Sequence, residues 1–346
     1  MKILLLSDLH YGVRKDNQNF YKYQKNFFHN VVFNYIEKNG VDHVIMLGDL
    51  VDNRTSIHFE TLVHMKNDFL NPLHDLMGDK VISIVGNHDL LYRNSMKINA
   101  VSEFVDFGTV VNSPVQVSLD GKDILFIPWI CKDNREECEF IIHESQAEYC
   151  FGHFELKGFK DNNGRLSTYG DESTFLRSFK SVYSGHYHER SRQGNITYLG
   201  SAFEFIWSDY ESFRGFSVVD TDDGRVQFFR NPYHIFSTID YSTGCQFDSE
   251  IAKKVGDTYV RIFRKSDGGS DVEFNDYIKR IQDVGVIDLQ IVQKCDKQIM
   301  ELEDTPIVAD NLKDTMLNYI DNQQYSNSDL IKDRFIKLYG RAERGS

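Results

Sequence analysis

The sequence predicts an α/β (α+β layered) protein: a two-sheet β-sandwich flanked by helices, then a small α/β unit and a C-terminal helical hairpin. Three observations predict it. Short apolar runs alternate with amphipathic, helix-sized stretches through the first hundred residues. From about residue 110 the pattern changes to closely spaced strands with glycine-containing turns. A separate β-α-β pattern follows residue 238. At 346 residues the chain can hold one sizeable domain and one or two small ones.

Residues 2–8, KILLLSD, form an apolar run of strand length. Residues 19–40 place Phe20, Tyr23, Phe27, Val31 and Tyr35 on one helical stripe and stop at Gly40, a C′ residue. A second strand (43–49, HVIMLGD), a second helix (56–77) and a third strand (80–89, KVISIVGNHD) follow. VQVSLDGKDILFIPW predicts a hairpin turning at Asp120-Gly121. EYCFGH, SVYSGH and NITYLGS add strands, and residues 214–231 form a hairpin with Asp-Asp-Gly at its turn. Beyond it, TYVRIFRKS, DVEFNDYIKRIQDVG and VIDLQIVQK read as strand, helix and strand. The acidic, weakly periodic segment 295–306 predicts a linker. Two short amphipathic helices then lie within 307–340, the second capped by Ser328 with Ile331, Phe335 and Leu338 at helical spacing. The expected domains are 1–237, 238–298 and 299–346.

Hydrophobic residues at 41% and charged residues at 26% are an ordinary soluble globular composition. The apolar runs are strand-sized, well short of the roughly 20 residues that span a bilayer, so no membrane segment is expected. Met1-Lys2 leads straight into one of these runs without a charged n-region, h-region or cleavage site, which predicts a cytoplasmic protein. Five cysteines, an odd number without CxxC spacing, predict reduced and mostly buried thiols. The net charge of −13 argues against a passive basic coat for nucleic acid, which needs Lys and Arg. It leaves metal-dependent chemistry open, because acidic ligands turn locally positive once divalent ions bind.

The motifs lie where the apolar runs end. SDLH supplies Asp8 and His10, LGD supplies Asp49, GNHD supplies Asn87, His88 and Asp89, FGH supplies His153, and SGHYH supplies His186 and His188. Taken alone, His186 and His188 read as two ordinary surface histidines rather than as metal ligands. In company they do not, since five of the twelve histidines stand at strand ends, the edge of an open α/β sheet where ligands bind. On an extended backbone the i and i+2 side chains of Asp-x-His share a face. Asp, His and Asn without thiolate suit Mn²⁺, Fe²⁺ or Zn²⁺.

The order D-x-H, G-D, G-N-H-D, G-H, G-H-x-H resembles that of the calcineurin-like metallophosphoesterases, over roughly residues 1–230. The resemblance implies a two-metal site in a β-sandwich. Asp8, His10, Asp49 and His188 would hold one ion, and Asp49, Asn87, His153 and His186 the other, with Asp49 bridging. His88 would sit over the substrate phosphate as a stabilising group or proton donor. GDLVDNR lacks the Arg and Gly that protein phosphatases carry in their G-D-x-x-D-R-G, and GNHD ends in Asp rather than Glu.

SDLHYG, GNHDL, the IPW stretch (127–129) and YLGSAFEFIWSDYESFRGFSVVD are similar instead to the SbcD-type repair nucleases. Compactness and acidity bring the chain nearest to the phage recombination nucleases of that group. This resemblance implies a Mn²⁺-dependent 3′→5′ exonuclease on duplex ends with endonuclease activity on single strands. It also implies a coiled-coil, SMC-like ATPase partner docked on the C-terminal helices, a DNA-binding capping domain, and a homodimer built on the first helices. Some relatives carry a histidine where this chain has Asp52, so that residue's role does not transfer. Two competing expectations stand beside the nuclease. One is a small-molecule or cyclic-nucleotide phosphodiesterase with the same ligands. The other is a catalytically idle scaffold, which has no chemical need of all eight residues.

Overall fold

The computed structural model describes residues 1–162, 164–265 and 268–293, together with residues 331, 332, 334 and 335. Strand β1 (Lys2–Leu6) leads into a helix that begins as α1 (Gln18–Phe27), passes through a π turn at Phe28–Val32 and continues as α2 (Phe33–Asn39). The Asn17 side chain caps its start by accepting from Asn19 N, and Gly40 ends it at φ 61°. Next come β2 (His43–Met46), α3 (Phe59–Met65), a second π turn at Lys66–Leu70, α4 (Asn71–Met77) and β3 (Val81–Ile84). The hairpin β4 (Leu90–Tyr92) and β5 (Ser95–Asn99), helix α5 (Ala100–Phe104) and β6 (Thr109–Val111) complete the first half. Strands β7 (Val115–Leu119) and β8 (Lys122–Ile127) turn at Asp120-Gly121, whose φ values of 48° and 78° are what a two-residue hairpin demands. Helix α6 (Arg135–Glu144) and strands β9 (Tyr149–His153), β10 (Ser181–Gly185), β11 (Ser191–Gln193), β12 (Ile196–Tyr198), β13 (Gly215–Asp220) and β14 (Arg225–Arg230) follow.

Two six-stranded sheets result, in the orders β14-β13-β1-β2-β3-β6 and β11-β12-β10-β9-β8-β7. Their central strands are parallel: β1 with β2, β2 with β3, β8 with β9 and β9 with β10. The strands read as continuous apolar runs because both faces are buried. Ile3, Leu5, Ile45 and Ile82 point inward to meet Phe126, Tyr149, Phe151 and Tyr183 of the second sheet. Leu4, Leu6, Val44 and Val81 point outward, against Phe20, Phe27, Phe28 and Phe69 of the flanking helices. The outer face of the second sheet, with Leu125, Cys150 and Val182, is covered by Cys138 and Ile142 of α6. Cys131, Cys138, Cys150 and Cys245 are unpaired thiols, and the first three are buried; Cys295 lies outside the described residues.

After β14 the chain builds a parallel three-stranded sheet, β15 (Phe236–Tyr241), β16 (Tyr259–Arg264) and β17 (Asp288–Gln293), with helices α7 (Ser249–Val255) and α8 (Asp271–Asp283) between them. Ser270 and Glu273 cap α8 reciprocally, each side chain accepting from the other's backbone N–H. The expected β-α-β unit is present with one more strand and one more helix. A seven-residue helix is too short to show its period, which is why α7 was not legible in the sequence. Strand β15 begins at Phe236, two residues before position 238.

The chain divides into two compact units, Met1–Lys294 and Cys295–Ser346. In the second, Ile331, Lys332, Arg334 and Phe335 are helical. The predicted linker 295–306 and the rest of the helical pair, Ser328 and Leu338 included, lie outside the described residues. Among the described residues no helix is long and apolar enough to cross a membrane.

The first helices are anchored by aromatic packing across their π turns. Phe28 of one turn stacks on Phe69 of the other with ring centroids 4.2 Å apart, and both side chains are fully buried. Phe69→Ala is therefore expected to lower the unfolding free energy by about 3–5 kcal/mol. The measurement is urea denaturation, with a lower midpoint at unchanged slope.

Candidate metal centre

Strand β9 carries His153 as its last residue, but the other strands stop short of the residues they deliver. Strand β1 ends at Leu6 and β10 at Gly185, so Asp8, His10, His186 and His188 belong to the loops beyond them. The expectation that the two side chains of Asp-x-His share a face of an extended strand is corrected here. Asp8, His10, Asp49 and His186 instead adopt φ of 52°, 46°, 55° and 91°, in the left-handed region. Such backbone costs about 1–3 kcal/mol per residue and persists only where the surroundings over-determine it. They do so here. Asp8 N donates to Gly48 O (3.1 Å), and Leu9 N and His10 N both donate to Asp49 O (2.9 and 3.0 Å), so the loop after β1 lies along the loop after β2. A side chain on Gly48 would meet His153 Nδ1 at 2.5 Å, and one on Gly86 would collide with the Asp49 carboxylate.

All eight residues singled out in the sequence lie in one cluster. Asp8, His10 and His188 each offer a ligand atom within 4.8 Å of the others, and Asp49, His153 and His186 do the same. Between the latter two imidazoles stands Asn87, its Oδ1 2.9 Å from both His153 Nε2 and His186 Nδ1. His10 Nε2 faces His188 Nε2 at 3.0 Å and Asp49 Oδ2 at 3.8 Å. His88 donates its backbone N–H to Asp49 Oδ1 (2.8 Å), and its ring stands edge-on to His10 at 4.8 Å. Asp8, His10, Asp49, Asn87 and His153 are buried, whereas His88, His186 and His188 are partly exposed. The cluster thus has a buried floor and a rim of three imidazoles.

Its electrostatics call for positive charge. Burial would lower His10, but the carboxylates of Asp52, Asp49 and Asp8 outweigh it and raise the imidazole to about 9. His153 is likewise raised to about 9, chiefly by Asp49 against burial. Burial opposes ionisation of Asp49, yet His153, His88 and His10 hold it well below the usual carboxylate range. His88 and His188 are lowered, first by burial and then by His10 beside them. Buried carboxylates and imidazoles without thiolate are a donor set that fits a hard-to-borderline divalent cation, and the protons held by His10 and His153 are the positive charge that such a cation would displace. His153 is prepared for the part: Nδ1 donates to Leu47 O (2.6 Å), leaving the Nε2 lone pair toward the cluster.

Several supporting residues carried no assigned role in the sequence. Asp89, the last letter of GNHD, is buried beneath the site. Its Oδ1 accepts from Leu50 N (2.9 Å) and Val51 N (3.2 Å), and its Oδ2 from Asp49 N (2.9 Å) and Gly86 N (2.8 Å). Burial and the neighbouring Asp49 carboxylate push it up to about 6, against amides that favour its ionised form. Asn162 Oδ1 accepts from His188 N (2.8 Å), and Glu155 Oε1 lies 3.8 Å from His186 Nε2. Both come from the segment between β9 and β10, which has little regular structure and no motif to announce it. Buried Arg214 holds the His188 carbonyl while pairing with Asp209 (2.7 Å) and Glu189 (2.8 Å).

A cluster that concentrates cations beside proton-carrying imidazoles is suited to hydrolysing esters whose transition state gathers negative charge. The chain belongs to the calcineurin-like phosphoesterase family, which matches residues 1–255, and is accordingly a metal-dependent phosphoesterase. It is 31% identical over 323 residues to exonuclease subunit 1 of Enterobacteria phage T4, covering 92% of each chain. It is 27% identical over 220 residues to phosphoesterase 078R of Invertebrate iridescent virus 3, a name given there provisionally, covering 59% of this chain and 58% of that one. Among solved structures, an archaeal phosphodiesterase aligns with 66% of this chain and 99% of its own at 13% identity and a TM-score of 0.32.

Truncating Asp89 strands four amide N–H groups, two of them on the residues that aim Asp49 and Asn87. Asp89→Ala is expected to cost about 3 kcal/mol or more of stability, since each buried unsatisfied donor costs about 1–3 kcal/mol. Chemical denaturation measures the loss, and metal content should fall with it.

Proposed function

We propose that this chain is the Mn²⁺-dependent nuclease subunit of a DNA end-processing enzyme: a 3′→5′ exonuclease on duplex ends with endonuclease activity on single strands. The observation that carries this reading is the placement of His88 at the rim of an Asp49-centred cluster. It is supported by the 31% identity, over 92% of the chain, to a phage protein named an exonuclease subunit. Asp8, His10, Asp49 and His188 would hold one divalent ion, and Asp49, Asn87, His153 and His186 the other, Asp49 serving both. When bound, two such ions acidify water and draw charge from the phosphoryl oxygens.

The chain's own groups do the rest. His88 donates Nδ1–H to Asp52 O (2.7 Å), which leaves Nε2 as the atom that meets the substrate phosphate. Burial lowers its pKa, so when Nε2 is protonated as well the imidazolium is a strong acid that passes that second proton to a departing oxygen and returns to the neutral Nδ1–H form. The exposed rim of His88, His186 and His188 admits the phosphodiester, while the buried floor keeps Asp49 out of bulk water and its charge unscreened.

We read residues 1–237 as the nuclease domain and 238–298 as a capping domain that contacts DNA. Residues 299–346 then form the hairpin that docks on a coiled-coil, SMC-like ATPase, its apolar face lying in a groove of the partner. A homodimer through the first helices is supported by Phe59 and Val63, one turn apart on α3 and 87% and 53% exposed.

Purified protein with Mn²⁺ is expected to shorten end-labelled linear duplex DNA stepwise, and the label position gives the polarity. His88→Ala should reduce the rate about 10²–10⁴-fold while leaving bound metal unchanged. Bis-p-nitrophenyl phosphate serves as the small ester. If it is cleaved while DNA with and without the partner ATPase stays intact, the small-molecule phosphodiesterase replaces the nuclease.

A further inference from the structure

Position 52 is where the sequence departs from those relatives that carry histidine, and the structure gives the aspartate a distinct set of contacts. Its backbone N–H donates to Tyr11 O (2.9 Å), pinning the strand-end loop that carries His10. Its backbone carbonyl accepts from His88 Nδ1 at 2.7 Å. Its carboxylate lies beside the other ring as well: Oδ1 is 3.4 Å from His10 Nδ1, and a carboxylate oxygen and one ring nitrogen each of His10 and His88 all lie within 4.8 Å of one another. His10 Nδ1 is buried and makes no hydrogen bond among the described residues, so the Asp52 carboxylate at 3.4 Å stands as its ion-pair partner.

The two nitrogens of the His10 ring therefore have separate surroundings. Nε2 looks into the cluster, at His188 Nε2 (3.0 Å) and Asp49 Oδ2 (3.8 Å). Nδ1 looks away from it, at Asp52. As a metal ligand the imidazole is neutral and carries one proton. With Asp52 as the acceptor that proton sits on Nδ1, and the Nε2 lone pair is left toward the cluster. A carboxylate behind an imidazole also makes its far nitrogen a better donor and locks the ring plane. Phe205 fixes the ring from a third side, 5.2 Å away and edge-on.

We propose that Asp52 is a positioning residue of the metal centre, orienting His10 through its carboxylate and His88 through its carbonyl, so that one residue sets the tautomers of a ligand and of the proton donor. This rests on His10 being a ligand, as proposed above. The carbonyl survives substitution and the carboxylate does not. Changing the side chain therefore acts on cation affinity through His10 and spares the hydrogen bond to His88.

The test is Mn²⁺ binding to the full chain by calorimetry and by the loss of the free-ion electron paramagnetic resonance signal, for wild type, Asp52→Ala, Asp52→Asn and His10→Ala. Asp52→Ala is expected to weaken one of two sites about 10–100-fold. Asp52→Asn, which keeps an acceptor oxygen of the same shape, should weaken it less. Hydrolysis of bis-p-nitrophenyl phosphate should then need correspondingly more Mn²⁺ for half-maximal rate. A purely structural role would instead lower the metal-free melting temperature of both variants together. If His10→Ala loses a site while both Asp52 variants bind as wild type does, the proposal is overturned and the ligand set stands. If His10→Ala itself binds as wild type does, the ligand set fails and the role of Asp52 fails with it.

Discussion

One buried carboxylate holds the centre in shape. Asp89 accepts from four backbone amides, two on each oxygen, and those amides belong to the loops after β2 and β3. Each of those N–H groups lies too deep for water, so without Asp89 each would carry the full penalty of an unmade bond. With it, Asp49 is held at a left-handed φ of 55°, and Asn87 and His88 are delivered from the adjacent strand end in fixed register. The negative charge of Asp89 beside Asp49 is itself unfavourable. It is tolerated because amide dipoles surround one carboxylate and imidazoles the other.

The sandwich explains why so many polar groups can be gathered at one edge. Parallel central strands release their chains at the same end, so the loops after β1, β2, β3, β9 and β10 all open on one side. Apolar side chains fill both faces of each sheet and leave the polar groups nowhere else to converge. The result is a dry floor of carboxylate, amide and imidazole under a wetter rim of three histidines. Burial by itself would strip His10 and His153 of their protons, and the carboxylates of Asp49 and Asp8, with Asp52 beside His10, outweigh it and raise both to about 9.

The three-stranded sheet that follows the sandwich is tied to the same neighbourhood. Tyr259 of β16 accepts from Asn17 (2.8 Å) and Asn19 (3.1 Å) at the start of α1. Arg261 lies 4.0 Å over the Trp207 ring, and Trp207 packs on Phe236. Arg14, Lys15 and Asp16 form three consecutive left-handed residues between His10 and that helix. Arg14 reaches Phe205 O at 2.8 Å, and the Phe205 ring stands against both His10 and His188. The three-stranded sheet and the first site loop thus share neighbours.

The sequence by itself determined the layers and the cast. Runs such as KILLL and HVIM are apolar on both faces, so they read as buried strands. The stripe Phe20, Tyr23, Phe27 has the helical period, and Asp120-Gly121 can only turn tightly. Each motif ends one of those runs, which is why Asp8, His10, Asp49, Asn87, His88, His153, His186 and His188 were legible as one cluster. The tertiary structure decided how they are held. Strand β1 ends two residues early and β10 one, where Asp8 and His186 take left-handed backbone, a choice imposed by hydrogen bonds to other loops rather than by local preference. The helix α7 was too short to show a period. Asp89, Asn162, Glu155 and Arg214 act through contacts between residues far apart in the chain, and the side chain of Asp52 faces His10 only because two parallel strand ends lie side by side. Long-range hydrogen bonds and packing assign those roles, and no spacing in a linear pattern encodes them.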